Sequence, residues 1–391
     1  MPAIPSEDVR LKARSSPSGD APGGAAHAVS GRVHGWDLLR GVCAFAVAVF
    51  HLLTWQKVAD LHTLGFYGVY LFFVLSGASL TINYLGGFAA GISLRAMGQF
   101  LFVRYMRLIP LFALLVLLSL PWKLKAGGFT PDLLGKIVSN LTFTFGFGSP
   151  LTQSMIVGGW SLGIEFIFYL LFPVFLIPLA PGVRRLWAAV VFTALLALQF
   201  TWIGFTAARD AVSIPGLSAY HQVPAFAAYF FGGCVIGWLH LQRRWASPVG
   251  PAAGLLGVAA LGAVFVLLNH ADATQVLWGW RGLTLCLLCF VLVWWAGQIR
   301  LHGLGARCAR HVGDVTYGVY LIHPFVFFGL TFVVAPRVDW LPPMASGRWD
   351  MALAIGAVVL VVTSALAYAS ERWFEHPIRR WSTRYARQSA D

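Results

Sequence analysis

The sequence predicts an all-α, polytopic membrane helix bundle of about ten transmembrane helices with both termini in the cytoplasm. Its 391 residues are 58% hydrophobic and only 11% charged, where a soluble globular chain carries about 25% charged residues. Mean hydropathy is +0.72. The apolar residues gather into segments able to cross about 30 Å of hydrocarbon, and the basic residues fall mostly on one side of them.

Residues 1–34 are rich in Pro, Ser, Gly and Ala and read as a disordered cytoplasmic tail. They lack the short apolar core of a cleaved signal peptide, so the first span is expected to stay attached. Apolar segments follow at 36–55, 64–84, 100–120, 159–180, 185–204, 224–241, 249–269, 276–297, 312–335 and 351–371. Residues 131–147 (PDLLGKIVSNLTFTFGF) are a candidate short or re-entrant helix, which Asp132 and Lys136 place at a surface. One membrane domain therefore occupies 35–380, and 381–391 form a basic cytoplasmic tail. No long polar segment remains from which to build a soluble catalytic domain.

Ten spans with the amino terminus inside put 20 of the 28 Lys and Arg residues on the cytoplasmic side and eight on the other. That is a clear positive-inside bias. The formal net charge of +13 is thereby explained by orientation, and nucleic acid is not needed as a partner. Cys286 and Cys289 form a CxxC inside LTLCLLCFVL, without a second Cys or His pair nearby. They read as small residues packed in a helix, and no metal is expected.

Within the first span, GWDLLRGVCAFAVAVFHL at 35–52, stand Arg40 and His51, residue types that lipid-facing helices avoid. Eleven residues are about three helical turns, so the two side chains point the same way to within about 20°, separated by about 16 Å. Ionisable groups sharing one face of a span point into the bundle or a wet cavity. Asp37, one turn before Arg40, is placed to orient the guanidinium. At that separation Arg40 and His51 cannot form one hydrogen-bonded dyad. They would contact two parts of one long ligand, or two ligands meeting end to end. Arginine binds phosphate, and a neutral imidazole can take a proton from a hydroxyl. A ligand with phosphates at one end and a reactive group roughly 15–20 Å away describes an acyl-coenzyme A. The plainer alternative is a structural histidine and a snorkelling arginine.

The R-x10-H spacing in WDLLRGVCAFAVAVFH resembles the first-helix signature of acyltransferase family 3, integral-membrane enzymes that acylate extracytoplasmic glycans and sometimes other hydroxyl acceptors. FFVLSG at 72–77, RYMRLIP at 104–110, WSLGIEFIFYLLFP at 160–173, TYGVYLIHPF at 316–325 and ERWFEHPIRR at 371–380 resemble further family motifs in the same order. The resemblance covers about 36–380. Phe166 departs from it, standing where many members carry a second acid after the glutamate.

The resemblance implies an O-acetyltransferase of the inner (cytoplasmic) membrane. Acyl-CoA, acetyl-CoA by default, would enter from the cytoplasm, and a hydroxyl of an extracytoplasmic glycan would approach from outside. His51 matches the family's functional histidine and Arg40 its paired arginine. Arg104 and Arg107, which also share one helical face, match the pair linked to the donor's phosphates. His51 would act as general base, by direct transfer or through an acyl-histidine. The rival readings are a transporter or flippase for a polysaccharide-related solute, whose path intramembrane charges would line, and a structural subunit of an export complex.

Glu165 lies inside a span with no basic residue between Met155 and Pro181. A buried, unpaired carboxylate is costly, so Glu165 must take up a proton, accept hydrogen bonds, or pair with a base on another helix; it is a candidate for the active-site network. Gly159-Trp160-Ser161-Leu162-Gly163 satisfies GxSxG. That motif needs a strand before its turn, and none is expected, so Ser161 is not taken as a nucleophile. Ser76, Tyr317, Tyr320 and His323 are lesser candidates. His323-Pro324 is expected to break its helix, with the imidazole bonding locally. Neither HxxxD nor HxxxxD occurs.

Overall fold

A computed structural model describes residues 32–89, 91, 93–179, 184–209, 217–242, 248–337 and 347–388. The main helices are α1 (His34–Trp55), α2 (His62–Ala89), α3 (Leu94–Gly127), α4 (Pro131–Leu141), α5 (Trp160–Leu176), α6 (Arg184–Arg209), α7 (Ala227–Gln242), α8 (Pro251–Leu267), α9 (Gly279–Gln298), α10 (Gly303–Gly329), α11 (Trp349–Ser370) and α12 (His376–Gln388). No β-strand occurs among the described residues; one isolated bridge joins Val249 to Ile299. The chain is a polytopic helical membrane protein.

Local chemistry sets several of the helix starts. The Ser93 hydroxyl accepts the Ala96 amide at 3.1 Å to cap α3, and Thr130 caps α4 through the Leu133 amide at 3.1 Å. Pro131 and Pro251 occupy first-turn positions, where a missing N–H costs nothing.

All ten expected apolar segments fall on helices. Among the described residues, eight helices are long and apolar enough to cross a membrane. The segments expected at 224–241 and 249–269 are the helices α7 and α8, of 16 and 17 residues, shorter than the roughly 20 residues a perpendicular crossing takes. Segment 131–147 resolves into α4 followed by a 3-10 turn, Thr144–Phe147. Its Lys136 and Asp132 form an exposed ion pair at 3.0 Å.

Two boundaries differ from expectation. Pro324 does not break its helix: α10 continues through it to Gly329 and passes into a π-helical turn, Leu330–Val334. Proline removes only one helical hydrogen bond, and packing against neighbouring helices can carry the rest. The expected carboxy-terminal tail is helical as far as Gln388. There α12 lays Trp381 and Tyr385 against Phe102 of α3, with ring centroids at 6.2 and 5.6 Å. The expected tail 1–34 lies outside the described residues except for Arg32, Val33 and His34, the last of which opens α1.

The most buried span is α2, with 78% of its apolar stretch inside the protein, and it packs most closely on α7. Glycines make this approach possible. A Cβ on Gly77 would sit 2.1 Å from the Phe230 carbonyl oxygen, and one on Gly233 would sit 2.1 Å from that of Val74. In a membrane, where lipid tails are as apolar as leucine, such close backbone contact drives helix association. Gly233→Ala is therefore expected to lower stability by about 1–3 kcal/mol, read as a reduced thermal midpoint in detergent. Gly262→Ala, with nothing within 4 Å of the added Cβ, should leave the midpoint unchanged or slightly raised. Equal midpoints for the two variants would contradict this account of the packing.

Candidate active site

The helices α1, α2, α3, α5, α10 and α12 surround a cavity of about 500 Å³. Five arginines (Arg32, Arg40, Arg104, Arg107 and Arg379) and three carboxylates (Asp37, Glu165 and Asp314) line it. Cations thus exceed anions, and the site favours a negatively charged ligand.

Arg40 is held as part of a network. One guanidinium nitrogen donates to Asp37 Oδ1 at 3.2 Å; the other donates to the Leu75 carbonyl at 3.3 Å and to Ser79 Oγ. Asp37 is 3% exposed, and its second oxygen accepts from Arg32 Nε at 2.5 Å. Arg32 in turn reaches α10, donating to Asp314 Oδ1 at 2.7 Å and to the Arg310 carbonyl at 3.2 Å. The buried carboxylate therefore binds the start of α1 to α10 while fixing the Arg40 fork, which a planar guanidinium is suited to fill.

Arg104 and Arg107 are differently placed. The Arg104 guanidinium lies over the Tyr84 ring at 5.0 Å and over Phe100 and Tyr169 at 5.9 Å, and its Nε is buried without a hydrogen-bond partner. Arg107 is exposed to the cavity, and no ion pair neutralises either arginine among the described residues. Opposite them, Arg379 is engaged with Glu371 and lies 3.9 Å from Glu375. Among the described residues the two α3 arginines therefore face the cavity without an ion pair, and phosphate is the natural partner for such a pair.

The far end is lined by hydroxyls. Glu165 Oε1 accepts from Ser76 Oγ at 3.1 Å and from Tyr169 OH at 2.5 Å. Glu165 thus accepts hydrogen bonds, one of the possibilities open to it, and no ion pair to it occurs among the described residues. Ser161 Oγ lies 3.0 Å from Tyr320 OH, and both bond the Gly158 carbonyl, at 2.9 and 3.1 Å. Gly158 has φ +78°, and a Cβ there would come within 3.3 Å of the Tyr320 ring, so glycine suits this tight corner. Ser161 opens a helix with no strand before it, so the nucleophile-elbow geometry is absent.

The lining ends at this corner and includes neither His51 nor His323. One turn along α10 from Tyr320, with ring centroids 6.5 Å apart, His323 meets His51: His51 Nδ1 and His323 Nε2 are 3.0 Å apart. His51 also stacks flat on Trp55, at 4.8 Å and 5°. Arg40 and His51 do lie at different depths of α1, as their spacing requires. Tyr320 and Ser161 line the arginine cavity, whereas the His51 imidazole lies outside its lining. His323 does bond locally, through Nδ1 to the Val319 carbonyl at 3.0 Å. Its second contact, to His51, is the one that sequence alone did not reveal. Arg32, Ser79, Asp314 and Arg379 were likewise not singled out as site residues.

A cavity lined by five arginines and three carboxylates inside a helical membrane bundle suits a protein that handles a negatively charged ligand. The chain belongs to acyltransferase family 3: the family model, described as an acyltransferase domain, matches residues 33–368. That match takes in Arg40, His51, Arg104, Arg107, Glu165 and His323 and stops short of Arg379. The chain is also similar to the peptidoglycan O-acetyltransferase OatA of Listeria monocytogenes serovar 1/2a, with 26% identity over 382 residues. The similarity covers 88% of this chain and 55% of the relative, so the chain spans about half the length of that curated protein. No solved structure gives a significant match.

Proposed function

We propose that the protein is an inner-membrane O-acetyltransferase, taking an acetyl group from cytoplasmic acetyl-CoA and passing it to a hydroxyl of a glycan on the opposite side. Peptidoglycan, on which the Listeria relative is named as acting, is the first acceptor to test. The observation that carries this reading is a succession of unneutralised arginines and a hydroxyl-lined corner in one cavity and an imidazole pair one turn beyond that corner. It supports a donor bound by its phosphates at Arg104 and Arg107, near Arg40, with its thioester directed toward Tyr320 and Ser161.

In this reading His51 takes the proton of the acceptor hydroxyl as that oxygen attacks the thioester carbonyl. The new C–O ester bond forms, the C–S bond breaks, and the coenzyme thiolate leaves toward the cavity. Burial of the corner among Tyr320, Ser161 and Phe72 keeps out water, which would otherwise hydrolyse the thioester.

The test is covalent transfer. Protein reconstituted in vesicles, given acetyl-labelled coenzyme A on one side and glycan fragments on the other, should yield glycans heavier by one acetyl group. Label that crosses the bilayer without becoming covalently attached would favour a carrier instead. The arginines give a second test. Arg104→Ala combined with Arg107→Ala should raise KM for acetyl-CoA about tenfold or more, since a hydrogen bond to a charged group is worth about 1.5–3 kcal/mol. KM for the glycan should stay unchanged. An unaltered dependence on donor concentration would remove Arg104 and Arg107 from the donor site.

A further inference from the structure

We infer that His323 is a positioning residue for His51: it selects the tautomer of the His51 ring that leaves Nε2 free to accept a proton. The inference rests on the reading of His51 as general base and deepens it.

The hydrogen bonds carry the tautomer assignment atom by atom. A carbonyl oxygen can only accept, so the 3.0 Å contact from His323 Nδ1 to the Val319 carbonyl places a hydrogen on Nδ1. A neutral imidazole carries one N–H and one lone pair, which leaves His323 Nε2 as an acceptor. The atom facing it at 3.0 Å is His51 Nδ1, which must therefore be the donor. His51 then holds its lone pair on Nε2, and the hydrogen bond found for the ring among the described residues is the one at Nδ1. His51 is partly exposed, whereas His323 is 1% exposed, as suits a group that orients its neighbour rather than one that meets substrate. The ring plane is fixed separately by the stack on Trp55, so two independent contacts define both the direction and the protonated edge of the imidazole.

Histidines that act as ligands or bases commonly have the second ring nitrogen held by a carbonyl or carboxylate. Here a second imidazole, 272 positions away in sequence, takes that place and passes the bias of a backbone carbonyl across one ring. Without it, His51 could carry its hydrogen on either nitrogen, and only the fraction with Nε2 unprotonated would be competent.

Three substitutions at position 323 test this, each measured for kcat and KM on protein matched for amount and for coenzyme A binding. His323→Leu removes the acceptor and should lower kcat about 10- to 100-fold, with both KM values near wild type. His323→Gln places an amide oxygen where Nε2 stood and should recover most of the loss. His323→Asn, whose oxygen falls short of His51, should resemble the leucine variant. If His323→Leu does not fold, the contrast between Gln and Asn decides. The His51→Ala background supplies a readout that a structural role would move: there, His323→Gln and His323→Asn should leave the residual rate unchanged. Wild-type kcat in His323→Asn, equal losses in Gln and Asn, or a further fall in the His51→Ala background would each overturn the inference. Wild-type transfer by His51→Ala itself would instead defeat the general-base reading.

Discussion

His51→Ala is expected to lower acetyl transfer by about 10²–10⁴-fold, the range that a positioned general base contributes, while the protein still inserts and binds coenzyme A. The expectation follows from how little else at that site can accept a proton. Among the described residues the aromatic rings beside His51 are those of Phe50, Trp55 and the buried His323, whose Nδ1 is committed to a carbonyl and whose Nε2 meets His51. Glu165, bonded to Ser76 and Tyr169, lies on the cavity side of the Tyr320 corner. Mass spectrometry of the acceptor, with immunoblots of the membrane fraction to match protein levels, reads the effect. Undiminished acetylation would mean that the proton goes elsewhere and that His51 is structural.

Arg40→Ala is expected to damage both fold and donor use. The side chain satisfies three acceptors on two helices, Asp37, the Leu75 carbonyl and Ser79, and it lies beside a carboxylate that is nearly inaccessible to water. Breaking a buried pair by removing one partner costs about 3–5 kcal/mol. Arg32 continues to serve Asp37 here, so the lower end, about 3 kcal/mol, is expected. The loss should appear as a lowered thermal midpoint together with a raised KM for acetyl-CoA. Arg40→Lys should restore little, because a single ammonium cannot reproduce the planar fork. A double-mutant cycle with Asp37→Ala should show the two losses to be less than additive, since removing both leaves no buried charge behind. Full additivity would indicate that the two side chains act independently.

Much of this was legible in the sequence, and the reason is locality. Ten apolar segments became ten helices because twenty or so consecutive apolar residues leave the backbone few other ways to satisfy itself in lipid. Asp37 and Arg40 were readable as a pair because they are one turn apart on one helix. Arg104 and Arg107 were readable for the same reason. What escaped notice joins distant parts of the chain. Arg32 meets Asp314 across 282 positions and His51 meets His323 across 272, and no periodicity signals either. The membership in acyltransferase family 3 was recognisable from ordered motifs, one of which contained His323. Its partner became visible only when α1 and α10 packed together. Proline at 324 suggested a break because a local rule was applied where tertiary packing prevailed.

The residues that line the arginine-rich cavity end at Tyr320 and Ser161, so a path from the cavity to His51 would have to part the hydrogen bonds of the Gly158 corner. A transferase that reached both compartments through an open bore would dissipate the proton gradient of the membrane that houses it. In the proposed reaction the three hydrogen bonds at the Gly158 corner would act as a plug as much as a wall, keeping the permeability barrier electrically tight while a charged thioester lies within it.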